Sequence, residues 1–96
     1  MESFITQITA STAYKTIAEL YDTVVSNSAG TTKRLVFSGE LVAHKDNGSD
    51  LYILHKGLNI PLTPEESIFL QGIDISQIQV KGNGLILKIL GAISKL

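Results

Sequence analysis

The sequence predicts a mainly β protein: a small antiparallel β-sandwich, jelly-roll-like or barrel-like, with one N-terminal amphipathic helix. Between residues 51 and 90, short apolar runs alternate with turn signals, which is the pattern of sandwiches and barrels. The length of 96 residues predicts one domain, 1–96, with a single core. The chain has no cysteine, so its stability must come from packing or assembly and not from disulfides.

The N-terminal part predicts a short edge strand followed by a helix. The strand would include Phe4, Ile5 and Ile8 in a threonine-rich segment. The helix is expected at about residues 12–25, because apolar residues recur there along one helical face. Those residues are Ala13, Ile17, Leu20, Tyr21 and Val24. Ser11 or Thr12 would cap its start, residues 26–32 would end it, and its apolar face would cover the sheet.

A strand is predicted within residues 34–44, where apolar and other side chains alternate. Gly39 lies in its middle, which indicates a bulge or a bend. The polar segment that follows contains Asn47-Gly48, a pair that favours tight turns with positive φ. The sequence therefore predicts a hairpin between this strand and the next.

Extended structure is predicted within residues 51–62, with a break at Lys56-Gly57. Pro61 keeps Ile60 out of the helical region. The next segment, Thr63-Pro64-Glu65-Glu66, has the signature of a helix start, but too few residues follow it for a stable helix. We therefore expect a tight turn that leads into a strand within residues 67–71.

The last two predicted strands lie within residues 77–81 and 85–90, joined by a hairpin at Gly82-Asn83-Gly84. The closing strand is apolar on both faces except at Lys88, so it is either sandwiched or part of an interface. Residues 85–96 could alternatively form a basic amphipathic membrane helix. The preceding turn and the β-branched residues favour the strand.

Composition narrows the classes of partner. Hydrophobic residues make up 44% of the chain and charged residues 18%, which suggests that a partner covers part of the surface. The formal net charge of −1 offers no basic patch for nucleic acid. The N-terminus lacks the features of a secretory signal, and no apolar run is long enough to span a bilayer as a helix. We expect a soluble protein that binds neither nucleic acid nor membrane.

No catalytic constellation is present, so we expect a protein that is not an enzyme and has no catalytic, cofactor-binding or metal-ligating residues. His44 and His55 lie in separate predicted strands, without a ligand spacing typical of metal sites. No serine lies in a nucleophile elbow.

Two polar loops resemble ligand-binding motifs only in part. Asp46, Asn47 and Asp50 lack the spacing of a calcium loop, so a turn is the better interpretation. Gly82 and Gly84 lack the third glycine and the following helix of a phosphate-binding loop.

The order of these segments resembles that of small structural proteins of tailed bacteriophage virions. Four segments carry the resemblance: residues 12–20 (TAYKTIAEL) to "TAYxTLAxL", 50–57 (DLYILHKG) to "xLYVGxxG", 62–67 (LTPEES) to "LxPGES", and 75–84 (ISQIQVKGNG) to "LSxIYVKGSG". The chain departs from this pattern at Leu54 and Glu65, where glycine is usual, which affects the expected shapes of those two loops.

The resemblance implies a β-sandwich virion component without catalytic activity. We expect a capsid decoration or cement protein on the outer capsid surface, assembled in the host cytoplasm, which forms a homo-oligomer, a trimer, and binds the major capsid protein without a cofactor. The alternative is a fibre, neck or tail component that binds a host receptor or glycan through aromatic residues such as Tyr14 or Tyr52. A membrane-active domain is a third hypothesis.

Overall fold

The structure is a computed structural model that describes residues 2–25 and 35–95. In chain order the elements are β1 (Glu2–Thr9), β2 (Lys15–Thr16), α1 (Ile17–Val25), β3 (Leu35–Ala43), β4 (Leu51–His55), β5 (Leu58–Leu62), β6 (Ser67–Asp74), a 3-10 helix (Ile75–Gln77), β7 (Gln79–Lys81) and β8 (Ile86–Lys95). The predicted helix end at 26–32 and residue 34 of the predicted strand lie outside the described residues.

The strands form two antiparallel sheets of four strands each, which confirms the mainly β prediction. The first sheet has the order β1-β8-β3-β6 and the second has the order β2-β7-β4-β5. Every connection between consecutive strands passes from one sheet to the other, except the turn between β4 and β5. Strands that are neighbours in a sheet are therefore mostly distant in sequence.

One hydrophobic core contains side chains from both sheets. Buried and exposed residues alternate along the strands, because successive side chains of a strand point to opposite faces. The largest fully buried side chains are Phe37, Ile8, Ile17, Leu41, Leu51, Ile53, Ile75, Ile78, Leu87, Ile89 and Val80. The two sheets thus bury their inner faces against each other in a sandwich-like arrangement.

The N-terminal helix is shorter than predicted. It begins at Ile17, not near residue 12, because Lys15 and Thr16 pair with β7 as a short strand. The cap is Thr16, whose Oγ1 accepts a hydrogen bond from the Glu19 N–H (3.2 Å) and donates one to Glu19 Oε1 (3.0 Å). Ile17 and Leu20 are buried in the core.

One further difference concerns the same end of the chain. Ala13, predicted on the apolar helical face, is exposed and precedes the helix. Val24 lies within the helix, but its side chain is not among the parts of the chain that the structure describes. The predicted short edge strand is confirmed at the edge of the first sheet, where β1 has eight residues.

The hairpin predicted at Asn47-Gly48 is wrong, since β3 and β4 belong to different sheets. The segment is a crossover that Asn47 fastens to β8. Its Nδ2 donates to the carbonyl oxygen of Ile86 (3.0 Å), and its Oδ1 accepts from the Ile86 N–H (2.9 Å). The Asn47 Oδ1 therefore replaces a backbone acceptor for the Ile86 N–H, whereas the Ile86 carbonyl oxygen also accepts from the His44 N–H.

The hairpin predicted at Gly82-Asn83-Gly84 is also wrong, because β7 and β8 belong to different sheets. The Gly82 N–H donates to the Ser11 carbonyl oxygen (2.9 Å), and the Gly84 N–H to that of Ala10 (3.1 Å). This second crossover therefore runs alongside the segment between β1 and β2.

Strands β4 and β5 are consecutive and pair with each other, so the turn between them, at the predicted break, forms a hairpin. Lys56 and Gly57 have φ values of 50° and 78°, as a type I′ turn requires. Residues 51–62 are therefore two paired strands.

The last strands have different bounds from those predicted. β6 continues beyond residue 71 to Asp74, and β8 begins at Ile86 and continues beyond residue 90 to Lys95. Residues 75–77 are a 3-10 helix, so β7 begins only at Gln79. The 3-10 helix begins here because the Asp74 Oδ1 accepts a hydrogen bond from the Ser76 N–H (3.0 Å) and caps its first turn.

The irregularity predicted at Gly39 is confirmed by a register shift between β3 and β6. Phe37 pairs with Ile73 and Gly39 with Leu70, so β6 has one extra residue opposite Ser38. Gly72 supplies the positive φ of 64° at this bulge, and its N–H donates to Ser38 Oγ (2.9 Å).

The tight turn predicted at residues 63–66 is confirmed, with β6 starting directly after it. The Glu66 N–H donates to the Thr63 carbonyl oxygen (2.9 Å), Pro64 occupies the second position and Glu65 the third, with a φ of 76°. These features define a type II turn, which usually has glycine at the third position. The Glu65 N–H donates to the Ala43 carbonyl oxygen (2.9 Å) and holds the turn against β3.

Candidate functional site

The outer face of the first sheet is the strongest candidate for a functional surface. Its inner side chains fill the core, so alternation points the residues between them outward. In the middle of this face, one row crosses all four strands: Ile5 pairs with Leu90, Leu90 with Glu40, and Glu40 with Phe69. We call these four residues the cross-sheet row.

The cross-sheet row is mostly apolar although it faces solvent. Ile5 is 72% exposed, Phe69 is 68% exposed and Leu90 is 39% exposed. These are three of the five large hydrophobic residues that are exposed in the described part of the chain. Single exposed apolar residues are common, but several aligned on one sheet face indicate an interaction surface.

The rows on either side are more polar. On one side Gln7, Lys88, Val42 and Ser67 follow one another across the sheet. On the other side Ser3 and Ser38 both pair with Ala92. An apolar centre with a polar margin is the usual anatomy of protein–protein interfaces.

The position of strand β8 in the sheet explains why its residues are apolar on both faces. It is an inner strand of the first sheet, with Leu87 and Ile89 fully buried in the core. Its other face contributes Leu90 to the cross-sheet row. Sequence reasoning singled out this strand but missed Ile5 and Phe69, because their outward orientation depends on the register of two other strands.

The two tyrosines named for glycan binding lie beside one lysine on the second sheet. The Lys81 Nζ is 5.4 Å from the centroid of the Tyr14 ring, within cation–π range. Tyr52 pairs with Lys81 across β4 and β7, so the two side chains share a face. The structure therefore groups Tyr14, Lys81 and Tyr52, a cluster that sequence reasoning did not connect to a cation.

A solvent-open cleft of about 690 Å³ lies between the β4–β5 turn, the bulge on β6 and the 3-10 helix. It is lined by His55, Lys56, Gly72, Ile73, Asp74 and Gln77. The His55 Nδ1 is buried without a hydrogen-bond partner among the described residues. The Asp74 Oδ1 is occupied by the N–H and the hydroxyl of Ser76, at 3.0 and 2.5 Å.

The other histidine has a local structural role. The His44 Nδ1 accepts a hydrogen bond from the Asp46 N–H (3.0 Å) in the crossover after β3. Among the described residues, no hydrogen bond joins either histidine ring to a serine or threonine hydroxyl. Within residues 2–25 and 35–95, no group of three or more His, Asp or Glu side chains is arranged to hold a metal ion.

The two loops that resemble ligand motifs have other roles in the structure. The Asn47 side chain is engaged by the backbone of Ile86, as described above. Gly82 is buried and its N–H is bound to the Ser11 carbonyl oxygen. In the described part of the chain, no helix combines the length and apolar character needed to cross a bilayer.

Comparison of the chain with protein-family profiles, curated proteins and solved structures finds no match.

Proposed function

We propose that this chain is a non-enzymatic virion structural protein, a capsid decoration or cement protein that self-associates and binds the major capsid protein on the outer surface of the head. The observation that carries the proposal is the cross-sheet row, in which three of the four solvent-facing residues are apolar, while the rows on either side are more polar. The sequence resemblance supports the identity of the partner.

The strand order supports a jelly-roll form of sandwich. Eight strands in two sheets ordered β1-β8-β3-β6 and β2-β7-β4-β5, with nearly all connections crossing between the sheets, are typical of that architecture. Jelly rolls are common in viral capsid and lectin domains.

The chemistry of the cross-sheet row suits a repeated, weak contact. Three apolar side chains and one carboxylate offer a small area, which by itself gives modest affinity. A capsid presents many copies of one surface, so an oligomer that engages several copies binds far more tightly than one subunit does. A small decoration protein can therefore bind stably without a large interface.

Co-sedimentation with capsids that lack the protein tests this proposal. Phe69→Glu puts a second carboxylate directly opposite Glu40 in the cross-sheet row, and we expect it to weaken binding by about tenfold or more, since burying like charges without a partner is costly. Leu58→Glu is the matched control, because Leu58 is similarly exposed, at 63%, but lies on β5 of the second sheet.

The proposal fails if wild-type protein does not sediment with the capsids, or if Phe69→Glu binds as well as Leu58→Glu. Circular dichroism of both variants checks that the fold is intact. Imaging of decorated particles would show whether the protein lies on the head, as proposed, or on the neck or tail.

A second candidate function, receptor or glycan binding at a fibre, neck or tail, is favoured by the group of Tyr14, Lys81 and Tyr52. Aromatic rings offer apolar faces to sugars, and the lysine would favour an acidic glycan. A glycan array probed with wild-type protein and with Tyr52→Ala tests it. Binding that disappears in the variant supports this function, and an array without signal contradicts it.

A further inference from the structure

Among the residues that the structure describes, the outer edge of β1 carries unpaired backbone groups. The Ala10 N–H donates to the Leu85 carbonyl oxygen (2.8 Å), in continuation of the β1–β8 register. Because backbone groups of a strand point alternately to its two sides, the even-numbered residues of β1 bond to β8. The N–H and C=O groups that point away from β8 belong to Ser3, Ile5, Gln7 and Thr9.

The β8 side of this ladder supports the assignment. The His44 N–H donates to the Ile86 carbonyl oxygen (3.0 Å), so Ile86 directs its backbone groups toward β3. The Leu85 carbonyl group and the backbone groups of Leu87 then point toward β1, where Leu87 pairs with Ile8. Both observations indicate that the backbone N–H and C=O groups of the odd-numbered β1 residues point away from β8.

The other three sheet edges carry features that discourage pairing with another strand. β6 has the bulge at Gly72, β5 contains Pro61, and β2 has only two residues. Bulges, prolines and short strands are the usual protections of an edge. β1 has eight residues, no proline, a regular register with β8, and Glu2 as its one charged residue.

We propose that β1 pairs antiparallel with β1 of a second copy of this chain, about a two-fold axis perpendicular to the sheet. The two first sheets then form one continuous sheet of eight strands. This inference deepens the self-association included in the proposed function, and it rests on that function only for its biological purpose.

Charge and side-chain direction favour a second copy in this orientation. Antiparallel pairing places the two Glu2 residues at opposite ends of the junction, whereas parallel pairing would put them side by side. The two-fold axis keeps each outward face outward, so the exposed Ile5 of each copy comes to lie near the other. The two cross-sheet rows then join into one apolar line across the dimer.

Two-fold pairing also gives a closed assembly. Each copy uses its β1 edge once, so the assembly stops at two chains and does not extend as a fibre. The expected species is a dimer, which differs from the trimer expected from the sequence.

Sedimentation equilibrium of the full chain tests the inference. We expect wild-type protein to be a dimer and Ile5→Pro to be a monomer. Proline at position 5 removes an N–H that points away from β8, so the fold is expected to persist. Ile5→Lys is a second variant that keeps the N–H and adds an edge charge; we expect it to weaken dimerisation about tenfold or more.

Cross-linking gives an independent readout because the chain has no cysteine. Under mild oxidation, Ile5→Cys alone or mixed with Gln7→Cys is expected to form a disulfide-linked dimer, since odd-numbered residues of the two copies lie opposite each other. Phe69→Cys is the matched control: it is also exposed on the same sheet face, but it lies on the far edge strand.

A monomeric or trimeric wild-type protein would overturn the inference, as would equal cross-linking of Ile5→Cys and Phe69→Cys. The two proposals can fail separately. A β1-linked dimer that does not bind capsids refutes the proposed function alone, and a monomer that binds capsids refutes the strand pairing alone.

Discussion

Gly91 on β8 lies directly opposite Gly39 on β3, in the middle of the first sheet. The ring of Phe37, which is fully buried, occupies the space beside both glycines. A Cβ at Gly91 would lie 2.7 Å from Phe37 Cε1, and one at Gly39 would lie 2.8 Å from Phe37 Cζ. The missing side chains therefore make room for Phe37, the largest fully buried side chain among the described residues.

We predict that Gly91→Ala destabilises the fold. Its Cβ would lie only 2.3 Å from the Ser38 carbonyl oxygen, so backbone of two central strands must shift. Such overpacking costs about 1–3 kcal/mol in the free energy of unfolding, which urea denaturation measures. Gly48→Ala is the control, since a Cβ at Gly48 contacts nothing within 4 Å. Equal stability of the two variants would contradict the close approach.

Asn47→Ala is expected to lower the free energy of unfolding by about 2 kcal/mol, because it leaves the N–H and C=O of Ile86 without their side-chain partner. Asn47→Asp should have an intermediate effect, since it keeps the acceptor for the N–H and loses the donor to the C=O. Asn59→Ala, at an exposed position of β5, should change stability little. If Asn47 only occupied a turn and made no contact with Ile86, all three substitutions would instead change the free energy of unfolding by similarly small amounts.

Glu65→Gly is predicted to stabilise the protein by about 0.5 kcal/mol. A non-glycine residue with φ near 76° is strained by roughly 1–2 kcal/mol, and the entropy that glycine loses on folding offsets part of the gain. Thermal and urea unfolding measure the difference. Glu65→Ala removes the carboxylate but keeps the strain, so it should bring no such gain.

Glu66 makes stability depend on pH at the acidic end. Hydrogen bonds from the backbone N–H and the side chain of Thr63 hold the pKa of this carboxyl below its ordinary value of 4.5. The carboxylate therefore stabilises the fold fully above pH 4.5, and this contribution is lost as the pH falls through the lowered folded-state pKa.

Glu66→Gln should remove this part of the acid dependence, so its urea midpoint should fall less than that of wild-type protein between about pH 6 and about pH 3. Glu40→Gln is the control, because the Glu40 side chain forms no hydrogen bond in the described part of the structure. If Glu40→Gln flattens the profile as much as Glu66→Gln, the Thr63 contact is not the cause.

The candidate surface could be predicted only in part. The apolar residues on both sides of residues 85–90 indicated an interface, and Leu90 belongs to the cross-sheet row. Ile5 and Phe69 could not be connected with it from sequence, because the row joins four strands that are far apart along the chain. Likewise, Tyr14 and Tyr52 were recognised separately, and their common neighbour Lys81 follows from the pairing of β4 with β7.

Local sequence patterns were sufficient to predict the β class from alternating side chains, the tight turn at residues 63–66 from its proline, and the irregularity at Gly39. These features depend on residues close together in the chain. Which strands are neighbours depends on contacts between residues far apart in the chain, so it could not be predicted from these patterns. An Asn-Gly turn can close a hairpin or cross between sheets, and burial of two inner faces together with distant bonds such as Asn47 to Ile86 selects the crossing.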